Sequence, residues 1–181
     1  WIAFHILLGN DDTQSRNIYL YSPQNSTKWY IIPWDNYSIL MKNERRLVSK
    51  DSDQANSWEV GVSNYWGNQL FQRLLKSKEF RKGLDEKMDE LRKTITGDKI
   101  TSMSNEYAAV IKPYLAKMPD QMHAKTTPDN YDKTLADLPN ELENNYKIYK
   151  TSLEKPQPFF INKPEVANNK LKLRWGASYD F

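Results

Sequence analysis

Asp12 and Asn17 stand in the arrangement Asp-x-x-x-x-Asn, and Asp35 follows two short apolar runs later, directly behind Ile31-Ile32-Pro33-Trp34. Carboxylates and amides are the side chains that hold a hard cation such as Mg²⁺ through oxygen. A carboxylate left free of metal can accept a proton from an attacking hydroxyl, or orient it. A proton acceptor, an amide ligand five positions on and a later acidic ligand are, in that order, the parts of a metal-nucleotide phosphoryl-transfer site. Asp12 is therefore the candidate catalytic residue, with Asp11 as the alternative, because the doubled acid leaves only the spacing to Asn17 to set the register. Asn17 and Asp35 are the candidate metal ligands.

The elements that must position these groups are legible around them. Ile18 to Tyr21 and Lys28 to Ile32 are rich in β-branched and aromatic residues, and the Ser22 to Thr27 segment between them holds the turn formers Pro23 and Asn25. Two antiparallel strands bring their outer ends together, so Asn17 and Asp35 are expected within a few ångströms of each other, roughly a strand spacing. Ahead of them, Trp1 to Leu8 is almost wholly apolar, which predicts a buried helix ended by Gly9. His5 on that helix reads as a core histidine. Taken singly, an Asp-Asp pair is usually a solvated turn or a helix cap, and Pro-Trp-Asp a strand end anchored by its Trp. Their order around one hairpin is what favours chemistry.

The runs GNDDTQSRNIYLY and KWYIIPWD resemble the core signature of the spore-coat-protein-H-like (CotH) kinase family, atypical protein-kinase-like proteins of bacterial spores and cell surfaces and of some fungi. By that resemblance Asp12 takes the part of the catalytic aspartate, Asn17 that of the catalytic-loop metal ligand and Asp35 that of the second metal ligand. Where many members continue Pro-Trp-Asp with an apolar residue and another Asp, this chain has Asn36-Tyr37. The resemblance implies Mg²⁺ and ATP as cofactors, transfer of the γ-phosphoryl group to protein Ser or Thr hydroxyls, and an extracellular place on a spore coat or cell surface. The six glycines are scattered, and no Gly-rich phosphate loop precedes a strand lysine. In kinases both belong to the smaller N-terminal lobe. With the chain opening at Trp1, residues 1–181 are expected to be a trimmed piece matching the C-terminal, catalytic-loop half, unable alone to transfer phosphate at a useful rate.

The remaining chain is expected to be scaffold. Tyr37 to Ser63 lacks periodicity and by position resembles a kinase activation loop; its Arg45-Arg46 pair is a candidate contact for phosphate or an acidic substrate, against the plainer reading of a solvated charge cluster. Leu70 to Ile95 reads as one helix stopped by Gly97, and Ile100, Met103, Tyr107, Ile111 and Tyr114 as one side of a second, capped by Asp98 and kinked or shortened at Pro113. A third helix is expected to begin near Pro139. Pro156-Gln157-Pro158 marks a boundary, and beyond it Leu171, Leu173 and Trp175 alternate with cations like a strand of a fibronectin-type-III or immunoglobulin-like domain. The expected fold class is α+β and mostly helical: the C-terminal-lobe portion of an atypical kinase-like fold over residues 1–155, with a short hairpin at the site. Truncated β-strands occupy 156–181.

Composition excludes several classes. Zero cysteines rule out disulfides and thiolate chemistry, and two histidines argue against zinc. A net charge of +3 without long runs gives no nucleic-acid footprint, and no run approaches the ~18 apolar residues of a membrane span. The rival reading is a non-catalytic surface adhesion or scaffold module presenting its Tyr and Trp residues to a partner. A third is a kinase-like fold that uses ATP for adenylylation or amino-acid ligation.

Overall fold

The computed structural model of the chain describes residues 1–10, 12, 13, 17–40 and 60–181. Asp11, Arg45 and Arg46, together with most of the expected activation-loop-like segment, lie outside the described residues. The first helix, α1 (Ile2–Leu8), is the centre of the core, packing against α3 (Lys78–Thr94) and α6 (Pro128–Glu154). Gly9 ends it for two reasons. Its φ of 68° is left-handed, and a Cβ there would come within 2.6 Å of the Asn145 amide, itself buried and donating to the Leu7 carbonyl. Leu7, Leu75, Met88 and Tyr149 are fully buried in the same cluster.

The hairpin follows as expected: β1 (Tyr19–Tyr21) pairs antiparallel with β2 (Tyr30–Ile32), Tyr19 opposite Ile32 and Tyr21 opposite Tyr30. One face, with Ile18 and Ile31, turns toward the helices, while Tyr19, Tyr21, Tyr30 and Ile32 are exposed on the other. A 3-10 turn (Gly61–Tyr65) then leads into α2 (Gln69–Lys76).

Three helix expectations are corrected. The Leu70 to Ile95 run is two helices, because Ser77 adopts an extended conformation and caps α3 by accepting from the Phe80 N–H. Gly97 stops nothing: it opens α4 (Gly97–Leu115), whose cap is Thr96 accepting from Lys99 N–H, with Asp98 in the first turn. The third helix starts at Pro128, in the favoured first position behind the Thr127 cap, and carries Pro139 in its interior. On α4 the buried residues are Ile100 and Ala108, while Met103, Tyr107, Ile111 and Tyr114 are exposed. Pro113 lies in the last turn, as an early stop requires. The expected connector after it holds one short helix, α5 (Asp120–His123).

The C-terminal segment forms its own hairpin, β3 (Glu165–Ala167) with β4 (Lys170–Lys172), extended by an Ile161–Trp175 bridge. Its ends are tied to the helical body. Gln157 is buried, takes a hydrogen bond from Ser63 Oγ at 3.0 Å and donates to the Ser152 carbonyl at 3.0 Å, and its N–H reaches the Tyr179 carbonyl. Tyr179 and Phe181 pack on the Trp66 ring at 5.4 and 5.7 Å.

Candidate active site

The turn behind α1 carries Asp12, and buried polar groups hold it. Asn10, 2% exposed, accepts the Asp12 N–H on Oδ1 at 3.3 Å and the Ser38 hydroxyl at 2.9 Å. Thr13, fully buried, shares a 2.9 Å hydrogen bond with the Tyr65 hydroxyl. The loop is thus bolted at both sides of Asp12, whose own side chain is half-buried.

Asn17, at the foot of β1, reaches back. Its Nδ2 donates to the Asp12 carbonyl at 3.1 Å and to the Asp12 carboxylate Oδ2 at 3.3 Å. That commits the amide nitrogen and leaves the amide oxygen for another partner. Asp35 is exposed just past the end of β2, whose last pair, Tyr19–Ile32, lies at the same end of the hairpin as Asn17. Tyr19 and Trp34 meet edge to face at 5.7 Å across this mouth. Asp12 and Asn17 are therefore joined directly, whereas no hydrogen bond among the described residues joins Asp35 to either. The link is indirect: Asn10 Nδ2 donates to Asn36 Oδ1 at 3.3 Å, and Leu40 N–H reaches the Leu8 carbonyl at 2.7 Å.

Asn17 and Asp35 both hold left-handed backbone, with φ of 55° and 53°. Asn and Asp tolerate that region better than other side chains, and non-glycine residues there concentrate at functional sites. Among the described residues no three His, Asp or Glu side chains gather as a metal cluster. The donor set present is one amide oxygen and one exposed carboxylate. These fit a hard cation that takes few protein ligands and fills its shell with phosphate oxygens and water, as Mg²⁺ does.

His5 stays outside this chemistry. It is 1% exposed, flanked edge-on by Trp1 and Phe4, and its Nδ1 has no hydrogen-bond partner. Burial, and secondarily the nearby amino terminus, lower its pKa to about 4, so it is neutral at pH 7.

Sequence reasoning missed Asn10, Thr13 and Ser38 and read Asn36 only as a departure from the family run; together these carry the polar framework of the site. An Asn after a helix-ending Gly reads as a turn former, and nothing local tells that it is buried.

Residues 1–149 match the family model of the CotH kinase protein, and the chain belongs to that family. No curated protein and no solved structure matches it. The family is a kinase family, for which ATP and a divalent metal are the general cofactors. No helix among the described residues is long and apolar enough to cross a membrane.

Proposed function

We propose that the hairpin mouth is the catalytic half of an atypical protein kinase site, with Asp12 as the proton-accepting residue and Asn17 and Asp35 as the groups that hold Mg²⁺. The observation that carries this reading is the Asn17 bond to the Asp12 carboxylate at the end of the hairpin from which Asp35 emerges. When bound, Mg²⁺-ATP supplies the transferable phosphoryl group with its charge neutralised. The chain's own residues do the rest. Asn17 orients the Asp12 carboxylate, which takes the proton of a Ser or Thr hydroxyl as its oxygen bonds to the γ-phosphorus and the bond to the ADP oxygen breaks. The Asn17 oxygen and Asp35 would hold the Mg²⁺ that neutralises the phosphates. Transfer needs cationic groups around the triphosphate, which a preceding lobe would supply.

The spore-coat or cell-surface setting, the extracellular location and the protein acceptor belong to the same proposal, as does a division into a kinase-like lobe over 1–155 and a β-strand segment of fibronectin-III or immunoglobulin type over 156–181. The test is calorimetry of Mg²⁺-ATP on a chain extended at its amino-terminal side, beside single substitutions. Asp35→Ala is expected to weaken binding most, and Asp12→Asn to lower the transfer rate about 10²–10⁴-fold with binding retained. The opposite ranking would reverse the two roles. Absence of Mg²⁺-ATP binding in the folded extended protein would favour the non-catalytic surface module, for which the exposed Tyr and Trp side chains of the hairpin speak.

A further inference from the structure

We propose that Asn10 is the positioning residue of this site: by clasping Asn36 it sets where Asp35 stands relative to Asp12. The inference rests on reading Asp12 and Asp35 as the working carboxylates. Asn10 is a fixed reference point, because its N–H bonds to the His5 carbonyl at 2.9 Å and its side chain is 2% exposed. Its amide faces two ways. Oδ1 holds the backbone N–H of Asp12, while Nδ2 holds the side chain next to Asp35. An amide presents an acceptor and a donor in one rigid plane, so both segments are referred to a single group. Ser38, donating to the same Oδ1 at 2.9 Å, pins the chain two residues past Asn36.

Burial sharpens the clasp, because hydrogen bonds in a low-dielectric setting are stronger and costly to leave unmade. The Asn36 oxygen accepts from Asn10, which gives it an orienting part beside Asp35. Groups that orient a metal ligand typically change affinity by about 10–100-fold when lost. A purely structural Asn10, serving only to close α1, predicts otherwise. Asn36→Leu leaves its bonds to His5, Ser38 and Asp12 intact and deletes only the partner.

The experiment uses Mn²⁺ as the probe, titrated into the 181-residue chain by water-proton relaxation, with ¹H–¹⁵N spectra of the same samples. Asp35→Ala is expected to abolish binding. Asn36→Leu is expected to weaken it about tenfold in a protein that stays folded, its melting temperature lowered because the buried Asn10 amide loses a partner, and Asn10→Ala/Asn36→Leu to be no weaker than Asn10→Ala alone. Wild-type affinity in folded Asn36→Leu overturns the proposal. If the wild-type chain binds no Mn²⁺, or Asp35→Ala binds as well as wild type, it is the assignment of Asp35 that fails, and the spectra decide the clasp. An Asp12 amide resonance that shifts in Asn36→Leu upholds it, and one that stays in place overturns it.

Discussion

The two hairpins of this chain are built alike and held differently. Each is two-stranded, and such a pair is marginal by itself. Each leaves large apolar side chains in water, Tyr19 and Tyr30 on the first, Val166 and Leu171 on the second. The mouth of the first is tied by the buried Asn10 amide and Ser38 hydroxyl and the half-buried Asn36. That of the second combines the buried Gln157 amide, bonded to Ser63 and Ser152, with an aromatic cluster that the first lacks among the described residues: Tyr179 and Phe181 pack on Trp66, and the Arg81 guanidinium lies 4.7 Å from the Phe181 ring. Left-handed residues differ as well. In the second they are Asn168 and Asn169, the two-residue turn itself, where such backbone is what a tight hairpin requires. The first also has one in its turn, Asn25, but Asn17 and Asp35 adopt it at the mouth as well, away from the turn. Geometry explains the one case, and side-chain chemistry is needed for the other.

The largest effect that would break this comparison lies in ligand binding. Asp35→Ala is expected to cut Mg²⁺-ATP affinity by about a hundredfold or more, while Trp175→Ala in the second hairpin leaves it unchanged. Calorimetry on the extended chain reads both, and equal losses would remove any functional distinction between the hairpins. Trp66→Ala tests the other mouth. Trp66 is 5% exposed, so its truncation is expected to cost about 3–5 kcal/mol in chemical denaturation, with the cation affinity of the first hairpin kept in the folded protein.

How much of this was legible in the sequence follows the same division. The first hairpin was readable because its strands are short, β-branched and aromatic, and bounded by turn formers; helix α1 was readable because seven apolar residues lead to a Gly. The break at Ser77 was not, since a cap serine inside an apolar repeat leaves the helical period undisturbed. Spacing put Met103, Tyr107, Ile111 and Tyr114 on one side of α4 but could not say whether another element would cover that side. Tying of the C-terminal segment depends on Gln157 meeting Ser63 and Ser152, contacts between distant or unpatterned polar residues. The site shows the same limit. Asp12, Asn17 and Asp35 stood out by type and spacing, whereas the Asn10 clasp joins residues 26 positions apart through groups that read locally as turn.

A pH titration sharpens the contrast further, because a buried base sits beneath the first mouth: the carbonyl of His5 anchors Asn10. With its folded pKa lowered to about 4 from 6.5, His5 binds no proton in the fold where the unfolded chain does. Its stability contribution is therefore complete above pH 6.5 and is lost as pH falls from 6.5 toward 4, by up to about 1.4 kcal/mol per pH unit. Melting temperatures between pH 7 and 4.5 should fall steeply, and His5→Phe should flatten the fall. An unchanged slope in that variant would assign the acid sensitivity elsewhere.

The smallest change in stability is expected from glycine at the left-handed positions, and it separates backbone from side chain most cleanly. Left-handed φ costs a non-glycine residue about 1–2 kcal/mol, less for Asn, and glycine's extra unfolded-state freedom offsets about 0.5–1 kcal/mol of the relief. Asn169→Gly should lie within about 0.5 kcal/mol of wild type in urea denaturation, and Asn17→Gly should lose about 1 kcal/mol with its hydrogen bonds to Asp12. In function they should part. Asn169→Gly keeps everything its turn needs, whereas Asn17→Gly preserves the backbone and deletes both the amide that holds the Asp12 carboxylate and the oxygen offered to the cation. Mn²⁺ affinity falling in folded Asn17→Gly would tie the first mouth to chemistry. Affinity unchanged there would reduce Asn17 to the same conformational part that Asn169 plays in the second hairpin.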